Sequence, residues 1–163
     1  MQAKSIKLSG PDHPITIKPN PSRVTVSLAG RVIADTREAL TLREASYPAV
    51  QYIPRKDVDM SLLQRTDHAT YCPYKGDCAY YSIPSGGKRS DNAVWTYEAP
   101  YAAVAEIKDH LAFYPDRVDE IKEQNSNDAS EECYAIVAAN PLALFGDRPL
   151  FVEYTLSSLD PVL

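Results

Sequence analysis

Three short runs in the first 44 residues alternate apolar and polar side chains with a period of two, and this period constrains the fold more than any other feature of the chain. Ile15 and Ile17 alternate with Thr16 and Lys18, Val24, Val26 and Leu28 with Thr25 and Ser27, and Leu40 and Leu42 with Thr41 and Arg43. A period of two puts one set of side chains on one face of an extended segment, so each run is expected to be a strand with one buried face. Turn formers separate the runs. Asn20-Pro21 ends the first, and Ala29-Gly30 turns the chain so that Arg31 to Thr36 returns as the second arm of a hairpin. The third run, Ala39 to Glu44, puts Glu44 in line with Leu40 and Leu42. A carboxylate on an apolar face marks either the mouth of a pocket or a strand end that water reaches.

The pattern continues less regularly. Tyr47 to Ile53 leads into Pro54-Arg55, and Asp57 to Gln64 fits a short helix capped by Asp57. Ala79 to Pro84 is a strand by its tyrosines and isoleucine, Ser85-Gly86-Gly87 opens a hairpin turn, and Ala93 to Glu98 returns with Ala93, Trp95 and Tyr97 on one face. Pro100 is expected to open one main helix over 101–111, with Val104, Ile107 and Leu111 as its buried stripe. Phe113-Tyr114 and Arg117 to Ile121 suggest a closing hairpin around Pro115-Asp116. Residues 1–13 suggest a loose arm. Gln124 to Glu132 is polar and acidic, a boundary that gives a domain over 1–124 and an extension over 125–163. The extension is too short to fold alone and is expected to dock on the domain or on a partner subunit. The fold class expected is mainly β (α+β).

At 163 residues and 44% hydrophobic, the chain can build a core without metals or disulfides. A formal net charge of −5, with only Lys88-Arg89 as an adjacent basic pair, argues against a nucleic-acid partner. No stretch approaches the ~20 apolar residues that span a membrane, and Met1 to Gly10 lacks a signal peptide's apolar run. The three cysteines form no disulfide framework, which suits a reducing cytosol. A soluble cytoplasmic protein is expected.

The segment Cys72-Pro73-Tyr74-Lys75-Gly76 sets a thiol, a phenol and an amine between a stiffening proline and a permissive glycine. Cys72 can be a nucleophile, its pKa lowered by Lys75 and its base supplied by His68 four residues upstream, or a small buried residue that anchors the loop. Lys75 can hold a carboxylate or phosphate, or pair internally with Glu44 or Asp57. Arg55 has the same two readings, and its planar guanidinium suits a bidentate anion. Asp57-Val58-Asp59 spaces two carboxylates as metal-dependent nucleotidyltransferases do, but no Gly-Ser phosphate loop precedes it, and Asp59 also fits a solvated first helical turn. Ser85-Gly86-Gly87-Lys88 is not a phosphate loop, since Arg89 stands where Ser or Thr is required and Ser82 where the first glycine belongs.

Glu44, Tyr52-Ile53-Pro54-Arg55-Lys56-Asp57-Val58, the Cys72 loop, Ala79-Tyr80-Tyr81, Trp95-Thr96-Tyr97-Glu98-Ala99-Pro100, Ile107 and Ala112-Phe113-Tyr114 occur in an order that resembles the family called domain of unknown function 427. The resemblance covers roughly residues 24–122. It implies a mostly β fold similar to the β-tent of Mss4-like proteins and methionine sulfoxide reductase B, two sheets leaning together around a cleft. Many such relatives hold a structural zinc on paired Cys-x-x-Cys knuckles. Here Cys72 and Cys78 are separated by five residues and Cys133 stands alone, so no metal or other cofactor is expected. The family also carries a nucleotidyltransferase label.

The resemblance also implies that Tyr52, Tyr74, Tyr81, Trp95 and Tyr97 come near one cleft, although aromatics on strands equally form inter-sheet cores. The leading expectation is a cleft lined by Glu44, Arg55, Asp57, Cys72 and Lys75, with Tyr52, Tyr74 and Tyr97, that binds a small polar or anionic molecule. In an enzyme, Cys72 or Glu44 would serve as nucleophile or acid-base group while Lys75 and Arg55 hold negative charge. The alternative is a protein-interaction or homodimer module whose contact region is 125–163. Nucleotidyl transfer stands third.

Overall fold

The structure, a computed structural model, describes residues 4–125. The chain divides into two units, Met1–Asp128 and Ala129–Leu163, and the described residues belong to the first. Cys133 and the contact region expected beyond residue 125 lie outside the described residues.

Ten strands follow in chain order: β1 (Ile15–Pro19), β2 (Arg23–Leu28), β3 (Arg31–Thr36), β4 (Leu40–Glu44), β5 (Val50–Pro54), β6 (Gln64–Cys72), β7 (Gly76–Ser82), β8 (Val94–Thr96), β9 (His110–Phe113) and β10 (Glu120–Gln124). They form a seven-stranded sheet in the order β1-β4-β5-β9-β8-β7-β6 and a three-stranded sheet in the order β10-β2-β3. The domain is therefore mainly β with two sheets, as its alternation requires. The β2–β3 hairpin turns at Ala29 and Gly30, both at positive φ (51° and 72°), the backbone twist that two-residue hairpins favour.

Side-chain parity divides the core. Val24, Val26 and Leu28 of β2 are at most 1% exposed and join Ile53, Val94 and Leu111 of the large sheet in one cluster. Fully burying each such side chain contributes roughly 1.5–3 kcal/mol. Their chain neighbours Tyr52, Trp95 and Ala112 point to the opposite face and enter a second cluster with Leu42, Val104 and Ile107. Both faces of the large sheet are thus covered near its centre, and the second face carries the aromatics.

Four expectations are corrected. The helix over 101–111 is instead a pair of 3₁₀ turns over Ala102–Ile107, followed by β9. Val104 and Ile107, three residues apart, suit a 3₁₀ turn as well as an α-helix, and Asp109 at φ 56° ends any helical path. Leu111 belongs to the period of two that follows. The helix over 57–64 is two short 3₁₀ turns, Arg55–Asp57 and Met60–Leu62. No hairpin closes around Pro115-Asp116: β9 joins the large sheet, whereas β10 crosses to pair with β2. Residues 64–72, for which no element was expected, form the long edge strand β6, whose largely exposed polar residues carry no apolar alternation. No helix among the described residues is long and apolar enough to cross a membrane.

Candidate functional site

A cavity of about 210 Å³ opens on the second face of the large sheet. Parity selects its walls. Cys78 and Tyr80, two apart on β7, face it together, as do Tyr52 from β5 and Trp95 from β8. Tyr97 and Tyr114, just past the ends of β8 and β9, complete the aromatic wall. Glu44, at the end of β4, and Lys75, in the β6–β7 turn, supply the charged end.

The aromatic wall is held by its own hydrogen bonds. Trp95 Nε1 donates to Tyr52 Oη at 3.2 Å, with the rings edge-on at 87°. Trp95 also lies 4.5 Å from Tyr114, ring centre to ring centre. Tyr80 Oη and Thr70 Oγ1 are 2.9 Å apart. Burial pushes the phenols of Tyr52, Tyr80 and Tyr97 above their ordinary range, so they remain protonated donors at neutral pH. Burial also raises the Cys78 thiol, against hydrogen bonds with Tyr80, Tyr97 and Thr70, and this favours the neutral thiol over the thiolate.

At the charged end the β6–β7 turn fixes Lys75. Its N–H donates to the Cys72 carbonyl at 3.2 Å, and its carbonyl accepts from Tyr101 N at 3.0 Å. Gly76 sits at φ 106°, a conformation glycine adopts without strain, where a Cβ would stand 3.4 Å from the Ala99 carbonyl oxygen. Lys75 is 7% exposed, and its ammonium donates to Glu44 Oε2. The other carboxylate oxygen, Oε1, lies 2.9 Å from His13 Nε2. Burial raises the Glu44 pKa, but hydrogen bonds from His13 and Lys75 outweigh it and leave the carboxyl below its ordinary value. The His13 ring stacks on Tyr74 at 4.0 Å and 6°.

The N-terminal arm straps this loop from outside. Lys7 N donates to the Pro73 carbonyl at 3.0 Å, Tyr71 Oη donates to the Ser5 carbonyl at 2.7 Å, and Lys4 pairs with Asp77. His13 was not expected at the site, and its stacking partner Tyr74 lies far away in sequence. Its only sequence signal is a position just before β1, whose first residue Ile15 pairs in register with Glu44.

The structure brings Glu44, Lys75, Tyr52 and Tyr97 to one cavity, and Cys72 packs against the same cluster, partly buried. Tyr74 lies outside, under His13. Arg55 does not line this cavity: its Nη1 donates to Tyr81 Oη at 3.2 Å, and Tyr81 belongs to the first cluster, on the opposite face from Tyr80. Asp57 also lies elsewhere, accepting from Thr36 Oγ1 at 2.7 Å and pairing with Lys56 at 3.2 Å. Glu44, not Asp57, is the partner of Lys75. Asp59 accepts from Ser61 N at 3.1 Å as a turn cap, so the two aspartates hold separate local bonds. His68 packs on Tyr80 at 4.4 Å. Four residues along an extended strand span roughly 13 Å, which puts His68 out of hydrogen-bond reach of Cys72. No three His, Cys, Asp or Glu side chains converge as metal ligands among the described residues.

Comparison with curated proteins finds no match. A family model described as domain of unknown function (DUF427) matches residues 16–124. That span contains every residue named above as lining the cavity and stops short of His13. By this match, which extends over more than half of its length, the chain belongs to the DUF427 family.

Proposed function

We propose that the cavity binds a small polar or anionic molecule through an acceptor oxygen. One observation carries this reading: buried hydrogen-bond donors, Lys75, Tyr52 and Tyr97, converge on a single cavity. An ammonium has three N–H bonds, and Glu44 takes one from Lys75. Tyr52 accepts from Trp95 and keeps its own proton to donate. Tyr97 and Tyr114 add further phenols around aromatic walls. Small-molecule sites combine apolar walls with a few convergent polar groups, commonly in ~300–1,000 Å³, so about 210 Å³ suits a compact ligand. Glu44, ionised and held between Lys75 and His13, is the acid-base group of the cavity, and Cys72 packs against the same cluster. The reading includes a β-tent relationship, two sheets with a binding face. It also includes a reducing compartment such as the cytosol, since Cys72 and Cys78 are free thiols.

The test is native mass spectrometry and crystallography on protein taken directly from cells, with Lys75→Met and Tyr97→Phe as controls. Extra mass and density between Lys75, Tyr52 and Tyr97, lost in Lys75→Met, is the expected result. An empty cavity, together with no change in Trp95 fluorescence across a panel of small acids, amides and alcohols, would refute the proposal.

A further inference from the structure

The charge balance of the cavity narrows its ligand, given the binding role just proposed. Lys75 carries one positive charge and Glu44 one negative, so the charged end is neutral when His13 is neutral. Burial holds the wall hydroxyls of Tyr52, Tyr80 and Tyr97 as protonated phenols. We propose that the ligand is a compact carboxylate, and that it enters together with a proton taken up by His13.

The carboxylate is drawn to the two remaining N–H bonds of Lys75 and to the phenols, which are donors of the kind that recognise oxyanions. Its arrival puts a second negative charge on an ammonium already paired with Glu44. Two carboxylates sharing one cation favour uptake of a proton nearby. Lys75 and the phenols already hold theirs. His13 is placed to receive one. Its Nε2 is 2.9 Å from the far oxygen of Glu44, and its side chain is 24% exposed, so a proton reaches it from solvent without opening the cavity. Histidine is the side chain whose ordinary pKa lies near neutral pH.

The groups around His13 set the direction. Glu44 on β4 and Asp12 beside it in the chain favour the imidazolium. Lys75, beyond Glu44, and Lys7, 6.0 Å from the centre of the Tyr74 ring, oppose it. Tyr74 supplies a flat neutral face. In the empty protein Lys75 offsets Glu44. Once a ligand carboxylate engages Lys75, the Glu44 charge becomes available to His13, and binding and protonation reinforce each other.

The experiment titrates the full chain with benzoate and acetate, and with their neutral counterparts benzamide and acetamide, from about pH 5.5 to 8.5, across the ~6.5 of an ordinary histidine. The fluorescence of Trp95, the only tryptophan, and calorimetry in buffers of different ionisation heat report binding and proton uptake. The carboxylates should take up about one proton near neutral pH and lose about tenfold in affinity per pH unit above the ordinary histidine range, while the amides stay level. His13→Gln keeps a hydrogen-bonding side chain and should remove both effects. Carboxylate binding independent of pH, or proton uptake unchanged in His13→Gln, overturns the inference. Amides binding where carboxylates do not overturns it and leaves the binding cavity standing. No response to any of the four, in protein that remains folded, removes both.

Discussion

Replacing Glu44 should destabilise the domain more than replacing Lys75, although the two form one ion pair. Glu44→Gln leaves the Lys75 ammonium, 7% exposed, without a counter-charge. Removing one member of a buried pair costs ~3–5 kcal/mol, and the amide oxygen still accepts one hydrogen bond, so ~3 kcal/mol is expected. Lys75→Met leaves Glu44 with His13 still 2.9 Å away and fills the space with a flexible apolar chain, so ~1 kcal/mol is expected. With Lys75 already Met, Glu44→Gln has no cation to orphan and should add less than ~1 kcal/mol, which makes the coupling about 2 kcal/mol. Urea unfolding followed by Trp95 fluorescence reads this directly, because Trp95 stands in the cavity wall. At ~3–5 °C per kcal/mol, Glu44→Gln should also lower Tm by about 10–15 °C. Equal losses in the two single variants, or a double variant equal to their sum, would refute the view that, among the described residues, Lys75 depends on Glu44 while Glu44 rests on two partners.

Acid should act through the same carboxyl. The Glu44 pKa is lowered on folding, so its stabilisation is complete above the ordinary 4.5 and is lost as pH falls through the lower folded value. Urea midpoints should drop less steeply below that point in Glu44→Gln than in the parent. Gly86→Ala should cost about 1–3 kcal/mol in the same assay, because an added Cβ would stand 2.5 Å from Ser90 Cβ and 2.8 Å from Leu28 Cδ2. Glu98→Gln breaks an ion pair with Arg65 whose side chains are 53% and 47% exposed, and should stay within ~1 kcal/mol in a salt-dependent way.

The period of two made most of the large framework legible. Arg31 to Thr36 is β3 to the residue, and Val24 to Leu28 lacks only the first residue of β2. It failed where burial did not impose it. Strand β6 is an edge strand with six of its first seven residues polar, so no apolar face distinguished it from a loop. Strand β10 pairs with β2 across some ninety residues of chain, a partnership no local pattern encodes, and its neighbour Pro115-Asp116 offered a plausible hairpin instead.

Parity also decides the site. Tyr80 and Tyr81 are adjacent in sequence and point to opposite faces of β7, one into the cavity and the other into the inter-sheet core. Glu44 falls on the cavity side because it shares the parity of Leu42, which the sequence states outright. Arg55 follows Pro54 at the end of β5, enters a 3₁₀ turn and meets Tyr81, so a cation only three residues after Tyr52 finishes on the other side of the sheet from it. Lys75 and Arg55 both sit beside turn formers, but turn residues escape the alternation that assigns faces, and only the fold separates the two. His13 escaped for the complementary reason. It precedes the first alternating run, and its position over Glu44 follows from the antiparallel pairing of β1 with β4, which sets Ile15 opposite Glu44 and brings the residue two places earlier back across the strand end.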